Sequence, residues 1–258
     1  MGDEARGASE GANIGGARGA PPEQQNVAPG VDEHHQTIAS DGDSAPPSSL
    51  VPPPSDPLVI RRLEFLGGMA QAGGWRPEPS HPEVAFAGRS NVGKSSLLNR
   101  LVRRKALARV SKTPGRTREI NFFSVNDRFV LADLPGYGYA RISKERKAEW
   151  WSLIDRYLRE SPQLRGVVQL VDARHDPSED DLRMFDFLAD LGTPTLVVAT
   201  KVDKLRRAEA TARVGTLADA LGVDAEQMIP FSAVTGQGRD ELAAAIVALI
   251  DTPPWRHS

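Results

Sequence analysis

The sequence contains no cysteine, which excludes disulfides and cysteine-ligated metals. It has no apolar run of 18 residues, and its N-terminus carries two arginines without an apolar core of signal-peptide length. A cytoplasmic, soluble protein is therefore expected. The first 57 residues lack Phe, Trp, Tyr and Lys, yet hold 9 of the 20 prolines and 8 of the 23 glycines. Such a segment cannot bury enough apolar surface to offset the entropy of ordering it, so residues 1–57 are expected to be a disordered, acidic Pro/Gly-rich tail. Pro52-Pro53-Pro54 would be a stiff spacer at its end. About 200 residues remain, enough for one α/β domain with a core. No internal repeat is present.

Charge is unevenly divided. Residues 1–57 carry 2 Arg against 9 Asp and Glu, a net of −7, and the rest carries 30 Lys and Arg against 25 Asp and Glu, a net of +5; together they make the −2 of the chain. A basic domain behind an acidic tail suggests an anionic partner such as nucleic acid, although +5 is also compatible with ordinary solvated surface charge.

What the sequence does have is Gly88-Arg89-Ser90-Asn91-Val92-Gly93-Lys94-Ser95. This is Gly-x-x-x-x-Gly-Lys-Ser, placed after the apolar run Val84-Ala85-Phe86-Ala87 and before a helical pattern expected to reach about Arg104. Glycines let backbone N–H groups face a phosphate, and the helix start adds its positive end. Lys94 would reach the β- and γ-phosphates and Ser95 would ligate Mg²⁺. Three later signals sit at ends of predicted strands, the edge where open α/β sheets bind ligands. Asp133-Leu134-Pro135-Gly136 offers a carboxylate behind the Mg²⁺ and a glycine N–H for the γ-phosphate; alone it is also an ordinary turn. Thr200-Lys201-Val202-Asp203 offers a carboxylate for guanine N1–H and the 2-amino group, with the Lys201 stem over the base. Phe231-Ser232-Ala233 offers a backbone N–H for guanine O6.

Periodicity supplies the frame. An edge strand is read at 61–66, a buried strand at 83–87, and a hairpin of 120–125 and 128–133 turning at Asn126-Asp127. Tyr137-Gly138-Tyr139-Ala140 reads as a flexible loop. Helices follow at 143–160, 178–191, 207–221 and 239–250, alternating with strands at 166–172, 194–200 and 227–231. Ser143 followed by Arg146 makes no capping box, so the start of that helix is open. The pattern gives the three-layer α/β phosphate-loop NTPase fold: a mixed, mostly parallel sheet, helices on both faces, one antiparallel hairpin strand. The domain is expected over 58–251, with 252–258 a short tail.

The segments GRSNVGKSSLLNRL, KTPGRTREINFF, DLPGYGYA and TKVDK resemble the bacterial EngB family of ribosome-biogenesis GTPases, in the branch that includes TrmE, Era and EngA. The resemblance spans about 60–250 and leaves out the tail. It implies a GTP-binding switch with slow hydrolysis, acting in assembly of the large ribosomal subunit and linked to cell division and septation. It also implies a first switch of Gly115, Arg116, Thr117, Arg118 and Glu119, with Thr117 as the second protein ligand of Mg²⁺ beside Ser95. Thr113 competes for that role, and a plain loop threonine is the alternative. Lys94, Thr117 and Asn91 are the candidate catalytic residues.

Tyr137 stands where Ras-like proteins carry the glutamine that orients water, so hydrolysis accelerated by a partner is expected. In related GTPases an Asn at the position of Asn91 helps to hold K⁺; the alternative is an Asn that only stabilises the loop turn. Cationic clusters flank both switches: Arg103-Arg104-Lys105, Arg116 and Arg118, then Arg141, Lys144, Arg146 and Lys147. They suit a large-subunit precursor made of rRNA and protein, bound by a monomer without membrane contact, or else form solvated helix faces. A phosphate-loop kinase or ATPase acting on a small molecule is the competing function; it would have no use for Asp203.

Overall fold

The computed structural model describes residues 56–78, 80–103, 119–138 and 143–256. Among these, β1 (Leu63–Met69), β2 (Glu83–Gly88), β3 (Ile120–Val125), β4 (Phe129–Asp133), β5 (Leu164–Asp172), β6 (Thr195–Thr200) and β7 (Met228–Phe231) form one sheet. Its order is β1-β3-β4-β2-β5-β6-β7. β3 pairs antiparallel with β1 and with β4, and the other pairings are parallel, so β3 alone runs against the rest. Helices α1 (Lys94–Leu101), α2 (Lys144–Glu160), α3 (Glu179–Asp190), α4 (Arg207–Leu221) and α5 (Arg239–Asp251) cover it.

The layers follow from alternation along β2, whose six residues are all buried. Val84 and Phe86 join the core beneath α1 and α5, with Leu97, Leu101, Leu242 and Ile246. Ala85 and Ala87 face the opposite core, with Leu153, Ile154, Tyr157 and Leu158 of α2 and Met184 and Leu188 of α3. A strand covered on both faces reads as a continuous apolar run, which is how β2 and β4 read. α4 packs on a third cluster through Val214, Leu217 and Ala218.

Local chemistry sets the element ends. α1 stops at Leu101, three residues short of the expected end. α2 starts at Lys144 because the Ser143 side chain accepts a bond from the Arg146 N–H, an N-cap that needs no glutamate partner. α3 has a full capping box between Ser178 and Asp181. Asn126 and Asp127 both have positive φ, 54° and 50°, the backbone of a type I′ turn. Asn126 also receives bonds from the Arg61 and Arg62 N–H groups and donates to the Val59 carbonyl, docking the segment before β1 on the hairpin. Asp56, inside the stretch read as tail, is ion-paired with Arg239 and with Arg103.

Glu83 is buried at the start of β2 and compensated by Ser161 at 2.7 Å, Tyr157 at 3.1 Å and Arg76 at 3.2 Å. Among the described residues no helix is long and apolar enough to cross a membrane. Phe86 is fully buried, so Phe86→Ala should lose about 3–5 kcal/mol in urea unfolding. Val59→Ser, at a 54% exposed position, should stay within about 0.5 kcal/mol.

Candidate functional site

The parallel register delivers the motif residues to one edge. Phe86 pairs with Asp133, Gly88 with Leu170, and Thr200 with both Asp172 and Phe231. The phosphate-loop sequence, Asp133, Thr200 and Phe231 therefore leave the sheet side by side. Asn121 pairs with Asp133, which brings the preceding Glu119 to the same edge, against Gly68. Gly115, Arg116, Thr117, Arg118 and the competing Thr113 lie outside the described residues.

The loop Gly88–Ser95 turns where glycine or asparagine is required. At Gly88 a Cβ would meet Val92 at 2.9 Å and Leu170 at 3.1 Å. Gly93 has φ 109° and Asn91 φ 65°; Asn is among the residues that tolerate the left-handed region. α1 opens at Gly93 with no side-chain cap, leaving its first N–H groups for an anion. Lys94 donates to the Asp133 carboxylate, and Ser95 is exposed on the first turn.

Tyr137 corrects the expectation of a flexible loop at 137–140; Tyr139 and Ala140 lie outside the described residues. Tyr137 is 5% exposed. Its carbonyl accepts from the Ser90 N–H at 2.7 Å, and its hydroxyl donates to Asp181 at 2.7 Å while accepting from Gln169. Burial, reinforced by the Asp181 charge, pushes the phenol well above its ordinary range. Trp150 packs edge-on against the ring at 5.8 Å and donates to the Pro135 carbonyl at 3.0 Å. The DLPGY segment is fixed to the phosphate loop on one side and to α2 and α3 on the other. Gly136 lies so close to Ser90 that a Cβ would sit 3.2 Å from its nitrogen.

The TKVD segment is tied to the same loop. The Thr200 hydroxyl is 2.7 Å from the Val92 carbonyl and 3.0 Å from that of Val171. Lys201, at φ 62°, donates to the Asn91 carbonyl at 2.5 Å and to Asp172 at 2.9 Å. The lysine expected over the base is here anchored to the phosphate loop. Burial works to raise the Asp172 carboxyl, but donors from Arg174 and Lys201 outweigh it and hold it well below the usual carboxylate range. Val202 is buried beneath the turn. The Ser232 hydroxyl donates to Asp203 at 2.7 Å and holds that carboxyl below its ordinary range, against a smaller opposing effect of burial.

Within 232–237 almost every backbone N–H has an acceptor. Ser232 donates to Gln237, Gly236 to the Ser232 carbonyl, Val234 and Thr235 to the Ser232 hydroxyl, and Gln237 to Thr235. Within 232–237 the Ala233 N–H is the exception.

Sequence reasoning missed Asp172, Arg174, Gln169 and Asp181. Two of them left a trace: Asp172 ends an apolar strand as Asp133 does, and Asp181 stands three residues after Ser178 before an apolar stripe. Of the cationic clusters, Arg103 is ion-paired with Asp56 and Lys147 with Asp180, while Lys144 and Arg146 are exposed. Arg104, Lys105 and Arg141 lie outside the described residues.

Known proteins are similar to this chain in sequence and fold. Residues 83–201 match the family described as 50S ribosome-binding GTPase. The crystal structure of a probable GTP-binding protein engB superposes with a TM-score of 0.56 at 28% identity, covering 66% of this chain and 98% of that one. Aquifex aeolicus Era, at 24% identity and a TM-score of 0.52 over 68% of this chain and 59% of its own, shares the fold. The probable GTP-binding protein EngB of Syntrophomonas wolfei is 49% identical over 67% of this chain and 90% of its own length. That of Gemmatimonas aurantiaca is 67% identical over 199 residues, 77% of this chain and 98% of its own. Identity of that degree across nearly a whole relative, in a chain whose loop and strand ends converge as described, means that the chain belongs to the EngB family of GTP-binding proteins.

Proposed function

We propose that this GTPase is a guanine-nucleotide switch that acts in assembly of the large ribosomal subunit, in the cytoplasm, with a consequence for cell division and septation. The observation that carries the switch reading is the direct coupling of the phosphate loop to the DLPGY segment. Ser90 donates to the Tyr137 carbonyl, and Lys94 is held by Asp133. A γ-phosphate in the loop competes for the Lys94 ammonium, and any movement of Gly136 is felt at Ser90. Nucleotide state is thereby transmitted to Trp150 of α2.

Guanine selectivity rests on two groups. Asp203 is kept ionised by Ser232 and accepts from N1–H and the 2-amino group, and the Ala233 N–H meets O6. Adenine offers no N1–H, no 2-amino group and no O6. Residues fit for Mg²⁺ are oxygen donors, the exposed Ser95 hydroxyl with Asp133 behind it, as a hard cation requires. Among the described residues no group of three His, Cys, Asp or Glu converges as a competing metal site. Thr117 is the second proposed ligand. When bound, Mg²⁺ neutralises charge on the phosphates.

The Tyr137 hydroxyl is engaged by Asp181 and Gln169 and offers nothing to an attacking water. Intrinsic hydrolysis is accordingly slow. We assign the missing charge to K⁺ held through Asn91 and to a ribosomal partner. The match to 50S ribosome-binding GTPases and the +5 charge outside the tail support an rRNA-containing precursor as that partner.

Asp203→Asn should weaken GDP binding about ten- to hundredfold by titration with a fluorescent GDP; a change within twofold sinks the guanine reading, as does ATP displacing GDP as well as GTP does. Turnover should be faster in KCl than in NaCl at matched ionic strength, and equal rates remove K⁺ from the mechanism. Pelleting with large-subunit particles should be stronger with a GTP analogue than with GDP and weaken with salt; identical binding in both states rules out the coupling.

A further inference from the structure

The loop that meets the base is short and polar; within 232–237 the N–H without an acceptor is that of Ala233, and it must be aimed with some precision to distinguish O6 from an amine. Each peptide plane beside Ala233 is held. On one side the Ser232 carbonyl accepts from the Gly236 N–H at 2.9 Å. On the other side the Val234 N–H donates to the Ser232 hydroxyl at 3.2 Å, and that hydroxyl donates to Asp203. The remaining handle is the Ala233 carbonyl, and it is taken from outside the loop: Arg100 of α1 donates to it through Nε at 2.7 Å. The same guanidinium donates to the Val234 carbonyl. Gly236, at φ 89°, passes 3.7 Å from the guanidinium carbon as measured from the place a Cβ would occupy. Arg100 and Ala233 both line an open cleft of about 730 Å³ between α1 and the β7–α5 loop.

We propose that Arg100 is the positioning residue for the guanine O6 contact, its guanidinium fixing the Ala233 and Val234 carbonyls so that the Ala233 N–H stays aimed at O6. A planar fork of donors can hold two successive carbonyls at once, which a lysine ammonium does less rigidly. The helix that carries Arg100 begins at Lys94 and Ser95. One rigid element therefore sets the distance between the phosphate end of the site and its base end. Asp203 reads the other edge of guanine, so the two contacts are separable by choice of nucleotide. The assignment rests on guanine binding at this site.

The full chain is titrated with GDP and with 6-thio-GDP, in which sulfur, a weak acceptor, replaces O6. Arg100→Met should lose about tenfold in GDP affinity and under about twofold in 6-thio-GDP affinity. Arg100→Lys should recover part of the GDP loss. An equal loss for both nucleotides makes Arg100 a support of the whole fold and overturns the proposal, as does no loss for either. Should Arg100→Met fail to fold, Arg100→Gln, whose shorter amide lacks the guanidinium fork, gives the same comparison. A wild-type chain that binds ADP as tightly as GDP instead removes the guanine reading itself.

Discussion

Hydrogen bonding of β2 to β4 on one edge and β5 on the other is the constraint on which the nucleotide edge depends. Parallel pairing fixes where each strand ends relative to its neighbours, and the ends of β2, β4, β5, β6 and β7 are where the chemistry-bearing side chains sit. The all-buried β2 is held against slippage because its two faces are unlike: Val84 and Phe86 belong to one core, Ala85 and Ala87 to the other. Shifting the register by one residue would exchange those faces and retract Gly88 from Leu170.

Upon that frame the site is organised by paired charges. Lys94 rests on Asp133 and Lys201 on Asp172, so each of these two lysines at the phosphate loop has a carboxylate partner. Such an arrangement avoids an unpaired buried ammonium. It also explains the threonine of TKVD. Its hydroxyl lies against the Val92 and Val171 carbonyls, so the base segment and the phosphate loop share hydrogen bonds.

Much of this was legible beforehand where the cause is local. The phosphate loop, DLPG and TKVD are contiguous in sequence, and their spacing follows from backbone requirements at Gly88, Asn91 and Gly93. Helices α2 and α3 were legible from the 3.6-residue period of their apolar faces. Tyr137 was not. Between two glycine-rich dipeptides it reads as loop, and only the packing of α2 and α3 gives its ring a core and its hydroxyl the partners Gln169 and Asp181. Asn126 was read as a turn residue, but its second role, receiving the chain from Val59 to Arg62, joins residues far apart in sequence.

By itself the sequence determined that a phosphate loop precedes a helix, that strands alternate with helices around a mixed sheet, and that four motifs stand in an order suited to a guanine nucleotide. These are properties of neighbours along the chain, governed by periodicity and backbone conformation. Only the tertiary structure decided which groups are already engaged and which remain open. Tyr137 is withdrawn from the reaction, Lys201 is anchored to Asn91, and the Ala233 N–H is left unengaged while Arg100 holds its carbonyl. The reason is physical: whether a polar group is free depends on the donors and acceptors that distant segments bring within about 3 Å, and no local pattern encodes that distance.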